Sequence, residues 1–350
     1  MEYIMGKKLL EMPVNMKVVK MLSTINENKG QQIIYKKQPK EVLARLTEEA
    51  LLNFTVDSCE NVFLEGEDLK QIFSGDVKPT TREEVSIVEF RDMLKTVNNA
   101  YYDMKISSQT ILELHGYLHR FSLVRGGRYR TEENDFLQTD FFREETFNKH
   151  GVLIKKNIEE RLDKYINDLC TEYNKLIEQG EIDTLIIIAS FIMDFILISP
   201  FPDNNIKMAK LLTVLLLNKN GYEVGKYVSL GRIYDEKAQI YFKGLFTTKD
   251  EKDKFYVNVN KWLEYFLKFV LDGYVVLNEE FNLNAIKKET KTKRIEKIIN
   301  STLGYFTKDD IRLQCPDIPE PTINRVFNNL RKSGKIEVVA KGRSAKWKRV

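Results

Sequence analysis

The sequence holds few of the residues from which small covalent or metal-stapled folds are built. Three cysteines in 350 residues, Cys59, Cys170 and Cys315, are odd in number and far apart. That excludes a disulfide framework and any closely spaced cysteine pair for zinc, and a reducing, cytoplasmic setting is expected. Histidine is as scarce, at three residues. His115 and His119 are spaced i, i+4, a separation that suits a metal, but no glutamate follows His115 as a zinc-peptidase helix requires. Both are read as core or surface residues of a helix, and His150 as a loop residue. No apolar run is long enough for a membrane span: the longest, around 185 to 201, is broken by Ser190 and Asp194 and ends at Pro200. The opening MEYIMGKKLLEMPVN lacks the segments of a signal peptide, and no repeat period or low-complexity tract is present.

What is present is a large globular content with an uneven charge. Hydrophobic residues make up 43% of the chain, enough for two or three domains with a sizeable core. The net charge is +4, but residues 291 to 350 carry 15 Lys and Arg against 6 Asp and Glu, so the remainder is acidic. Apolar residues recur at helical spacing in EVLARLTEEALLNF, EEVSIVEFRDMLKTVNNAYYDM, SSQTILELHGYLHRF and EERLDKYINDLCTEYNKLIEQG. Ser107 and Ser108 mark a helix start and Gly180 a helix end. Strand signals before residue 290 are confined to RYRTEENDFLQTDFF, where a hairpin around Glu132 to Asp135 is expected. Mainly α structure follows for residues 1 to about 285.

The basic tail reads as three short helices and a β-hairpin. Thr307 caps the second, with Asp309 and Asp310 in its first turn. In the third, Ile323, Val326, Phe327 and Leu330 form a buried stripe, leaving Thr322, Asn324, Arg325, Asn328 and Arg331 outward, and Gly334 ends it. Ile336, Val338 and Trp347 pack the hairpin, whose tip is Gly342 and Arg343. This pattern resembles a winged helix-turn-helix domain. The resemblance implies DNA binding, with polar side chains reading bases and cations meeting phosphates. A protein-docking or dimerisation module with a solvated basic face is the other reading.

Between two apolar runs lies ISPFPDNNIKMAKLL, residues 198 to 212. A turn that opens a buried helix offers unpaired N–H groups and a partial positive charge, a natural anion site. This run resembles the core motif H-P-F-x-[DE]-G-N-G-R-x-x-R of the Fic (Fido) family. Pro200, Phe201, Asp203 and Asn205 match it, Lys207 and Lys210 match its arginines in charge, and Ser199, Asn204 and Ile206 replace the histidine and both glycines. GRYRTEENDF resembles the segment leading into the family's target-positioning flap. CENVFLEGEDLKQIF resembles its inhibitory region, with Glu60 and Asn61 in place and Val56 where Ser or Thr is expected. VSLGRIYDEKAQIYFKGL resembles the segment after the motif, with Glu236 and Lys237 where Asn and Arg are common.

The resemblance implies a helical core with a β-hairpin flap, over residues 96 to 285. An N-terminal helical region, 1 to 95, precedes the core, and the winged helix domain, 286 to 350, follows. It implies transfer of AMP from ATP to a hydroxyl of a target protein. In that scheme the motif histidine acts as base, Asp203 holds Mg²⁺, residues 204 and 205 cradle phosphate, and Lys207 and Lys210 face the outer phosphates. Glu60 is then an inhibitory partner of Lys210. Ser199 cannot take a proton near neutral pH as imidazole does. Ile206, being β-branched, resists the backbone that glycine adopts, whereas Asn204 tolerates it. Lysine lacks the bidentate fork of arginine.

Three readings follow. One is a degenerate Fic protein with weak Mg²⁺ and ATP binding and a DNA-binding tail. Another is an active nucleotidyltransferase that relies on positioning and metal electrostatics. The last is an assembly module whose flap, 130 to 142, pairs with a partner protein or a second copy. The first is preferred, because the replaced residues are those the chemistry needs.

Overall fold

The computed structural model describes residues 5, 7–59, 64, 66–122, 125–131, 146–147, 153–154, 158–231, 252–281, 291–302, 305–316, 318–340 and 345–349. The chain is mainly helical and divides into two compact units, Met1–Leu277 and Asn278–Val350. Position 95 lies inside a helix of the first unit. No helix among the described residues is long and apolar enough to cross a membrane.

In the first unit the helices run α1 (Lys7–Leu10), α2 (Met16–Tyr35), α3 (Lys40–Ser58), α4 (Gly66–Ser74), α5 (Arg82–Ala100) and α6 (Ser108–Tyr117). A minimal ladder follows, β1 (Thr146–Phe147) antiparallel to β2 (Leu153–Ile154). Then come α7 (Ile158–Gln179), α8 (Thr184–Ile198), α9 (Asn205–Lys219), a 3-10 turn at Glu223–Lys226, and α10 (Lys252–Glu280). The central pair is α8 and α9. Every residue of α8 from Leu185 to Ile198 is buried, which is what an all-round apolar helix demands. Trp262 of α10 is fully buried and donates its indole N–H to Ala189 O at 3.0 Å, fixing α10 on α8.

The starts and stops follow local chemistry. Thr81 and Glu84 form a capping box on α5. Asp183 caps α8 through Leu185 N, and Gly180 ends α7 at φ +67. The helix expected over SSQTILELHGYLHRF is shorter. Ser107 caps it, but α6 stops at Tyr117 and His119 falls in the turn that follows. The paired strands lie at residues 146 to 154. The hairpin expected around Glu132 to Asp135 and the flap segment 132 to 142 fall outside the described residues, as do His150 and most of VSLGRIYDEKAQIYFKGL.

The second unit is α11 (Lys291–Ser301), α12 (Lys308–Gln314), α13 (Glu320–Lys332), and an antiparallel pair, β3 (Ile336–Ala340) with β4 (Lys346–Arg349). Thr307 and Asp310 make a reciprocal capping box on α12. Ile323, Val326, Phe327 and Leu330 of α13 pack with Ile295, Phe306, Ile311, Ile336 and Trp347 in a separate core. Arg325, Asn328 and Arg331 are exposed. Asn324 is half-buried and accepts a hydrogen bond from Lys308 Nζ at 2.6 Å, so its carbonyl is engaged within the unit. Thr322 is half-buried and Arg343 lies outside the described residues.

Candidate functional site

The site is the turn between α8 and α9, and two residues with positive φ shape it. Ser199 ends α8 at φ +43, and Asn204 precedes α9 at φ +55. Phe201 is fully buried. Asn205 closes the turn on itself: its Oδ1 accepts from Phe201 N at 3.0 Å and its Nδ2 donates to Phe201 O at 2.8 Å. Arg130, buried, donates Nε to Ser199 O at 2.9 Å, and its own N–H bonds Pro200 O at 3.0 Å. The guanidinium on Ser199 O and the backbone N–H on Pro200 O satisfy carbonyls where the chain leaves α8. The motif RYR thus supplies a structural clamp.

The Ser199 side chain points back into α8. Its hydroxyl donates to Ile196 O at 2.7 Å, and the residue is only 4% exposed. Ile206 does not have to adopt the glycine-like backbone that its β-branch resists. Ile206 lies in the first turn of α9, and the left-handed backbone falls on Asn204. Asparagine accepts that conformation more readily than a β-branched residue.

The two lysines face other helices. Lys207 Nζ donates to Ser86 Oγ of α5 at 2.8 Å, and that hydroxyl lies 3.8 Å from Cys59 Sγ. Lys210, buried, donates to Asp57 O in the last turn of α3 at 2.7 Å. A cation suits the carbonyl end of a helix. Glu60, the expected inhibitory partner, lies outside the described residues.

Asp203 meets the two histidines that were read as ordinary helix residues. His119 Nε2 is 2.9 Å and His115 Nε2 3.4 Å from Asp203 Oδ1. Both imidazoles are buried, while the Asp203 side chain is 46% exposed. His115 Nδ1 accepts from Gly127 N at 3.0 Å, which in the neutral ring puts the proton on Nε2, facing the carboxylate. His115 also stacks on Phe201 at 3.8 Å with the rings nearly parallel. The approach depends on glycine: a Cβ at Gly126 would sit 2.8 Å from both His115 O and His119 Cβ. The hydrogen bonds from His115 and His119 hold the Asp203 carboxyl well below the usual carboxylate range. Glu89 of α5, also buried, accepts from Phe121 N at 2.7 Å, and burial pushes its carboxyl up.

Among the described residues the structure therefore brings Ser199, Asp203, Asn204 and Asn205 into one turn and adds His115, His119 and Arg130. Lys207 and Lys210 point to α5 and α3. The i, i+4 spacing of LHGYLH was the available signal for the histidines, but nothing local places them against residue 203.

No protein-family model matches the sequence, and no curated protein matches it. Solved structures do. A Fic family protein from Desulfovibrio desulfuricans G20 superimposes with a TM-score of 0.53 at 16% identity, over 97% of both chains. A Fic domain containing signaling protein from Bacteroides thetaiotaomicron gives 0.52 at 14% identity, over 74% of this chain and 96% of that one. Fic-1 from C. elegans gives 0.54 at 20% identity, over 78% of this chain and 74% of that one. The chain has a Fic fold. At these identities the likeness concerns backbone architecture alone. The turn from Ser199 to Asn204 joins the two central helices, α8 and α9.

Proposed function

We propose that this Fic-fold protein binds rather than transfers: a regulatory protein whose core holds Mg²⁺ and ATP weakly and whose basic C-terminal unit is a winged helix that binds DNA. One observation carries the first half. The side chain at position 199 is a buried hydroxyl already donating to Ile196 O. It offers no lone pair of useful basicity, and general-base help is worth roughly 10²- to 10⁴-fold. Lys207 and Lys210 are held by Ser86 and by Asp57 O, which lowers their availability to outer phosphates. The three-helix and hairpin order, and exposed Arg325, Asn328 and Arg331, support the second half.

The test uses labelled ATP with Mg²⁺ or Mn²⁺, purified protein and a cell lysate. No label on any protein is expected, and Ser199→His should restore some. Rapid labelling by the unchanged chain would overturn the reading. Calorimetry separates binding from transfer: a weak ATP signal that Asp203→Ala abolishes is expected.

A second reading, transfer of AMP to a protein hydroxyl, is favoured by one observation. An imidazole, that of His119, stands in the turn 2.9 Å from Asp203. If the labelling assay is positive and His119→Gln abolishes it, this reading replaces the first.

A further inference from the structure

Three side-chain atoms at the mouth of the turn form a nearly equilateral triangle. Asp203 Oδ1 and His119 Nε2 are 2.9 Å apart, His119 Nε2 and the Asn204 amide 3.1 Å, and the amide and Asp203 Oδ1 3.3 Å. With Asp203 ionised, no placement of protons makes all three edges hydrogen bonds. A protonated Nε2 serves Asp203 but confronts the amide N–H. An unprotonated Nε2 accepts from Asn204 but opposes the carboxylate. Rotating the amide sets its oxygen against that of Asp203. With a carboxylate at Asp203, the cluster is frustrated in either state of Nε2.

A cation over the triangle removes the conflict, since each corner can offer a lone pair once the amide presents its oxygen. The edges suit this. Ligands about 2.1 Å from an ion lie about 3.0 Å apart at a right angle and about 3.4 Å apart at the tetrahedral angle. We propose that His119 Nε2, Asp203 Oδ1 and the Asn204 amide oxygen bind a first-row transition-metal dication, in preference to Mg²⁺.

The donor set decides the class. An imidazole nitrogen suits zinc, cobalt or nickel, whereas magnesium favours oxygen throughout. His115 Nε2 lies within the same 4.8 Å envelope as His119 and Asp203. It is nevertheless not a ligand here, because Gly127 N–H occupies its Nδ1 and leaves the proton on Nε2. It positions the carboxylate instead, as outer-sphere partners do. The half-exposed Asp203 leaves a way in from solvent and open positions for water. The carboxylate charge offsets the partial positive charge at the start of α9. The inference concerns the turn that the preceding reading assigns to Mg²⁺ and nucleotide, and metal binding without nucleotide is measured apart from it.

The full chain is titrated with Co²⁺, Zn²⁺ and Mg²⁺, followed by calorimetry and by the visible absorption of Co²⁺. One equivalent of Co²⁺ is expected, with affinity at least about tenfold above that for Mg²⁺. Asp203→Asn and His119→Gln should each weaken Co²⁺ by about tenfold or more. Asn204→Gly keeps the left-handed backbone and should weaken it less. Circular dichroism checks that each variant folds, and should His119→Gln fail, Asp203→Asn with Asn204→Gly carries the test. Unchanged Co²⁺ affinity in the variants, Mg²⁺ bound as tightly, no stoichiometric binding, or a near-ultraviolet thiolate band showing capture by cysteine would each overturn the proposal.

Discussion

At position 204 a single backbone angle decides which substitutions the turn tolerates. Asn204 sits at φ +55 without a side-chain cap to the helix. A left-handed backbone costs an ordinary L-residue about 1 to 2 kcal/mol, and glycine nothing comparable. Asn204→Ala should therefore lower stability by about 1 kcal/mol in denaturant melts, while Asn204→Gly stays near neutral. Ile206 resists positive φ as its β-branch dictates, but the turn never asks this of it, since helical backbone begins at residue 205. The buried Glu89 supplies a pH signature. Its folded pKa lies above the unfolded one, because burial outweighs the Phe121 N–H and the charges of His119, Arg120 and Lys207. The folded state then binds the proton more tightly, and the contribution to stability falls as pH rises through the carboxyl range. Glu89→Gln should raise the melting temperature at neutral pH relative to the natural chain, and the difference should shrink toward pH 4. An advantage that is independent of pH would show the burial argument to be mistaken.

Elements were the most legible level. The apolar spacing in α3, α5 and α7 and the uniform run in α8 each became helices near the expected bounds, because periodicity of 3.6 residues is a local property that burial then rewards. The end of α6 was not legible. His115 to Arg120 continues a plausible helix in sequence, but the chain turns at Leu118 so that His119 can face the α8–α9 turn. Capping is a testable device at this scale. Thr81 Oγ1 accepts from Glu84 N at 3.2 Å, and Glu84 Oε2 accepts from Thr81 N at 3.0 Å. Thr81→Ala should cost about 1 kcal/mol by thermal melting. Packing has larger stakes: Trp262→Ala removes the indole that contacts Ala189 O from a fully buried site. It should destabilise the first unit by about 3 to 5 kcal/mol.

The whole molecule is two units with separate cores, one built around α8 and α9 and the other on α13 with Phe306 and Trp347. A chain of residues 278 to 350 should accordingly fold alone and show a cooperative melt. If the proposed DNA binding holds, affinity of the full chain should fall steeply with salt. Arg325→Ala with Asn328→Ala should then weaken binding further, as read by a mobility shift. Sequence by itself determined the helical class, the buried central pair and the basic tail, since each is written in composition or local spacing. Only the tertiary structure decided that His119 and His115 meet Asp203, more than 80 residues away. It alone turned Lys207 and Lys210 toward α5 and α3. The reason is that local periodicity sets which face of a helix is buried. Which side chains converge there depends on how distant helices pack, and no stretch of sequence encodes that alone.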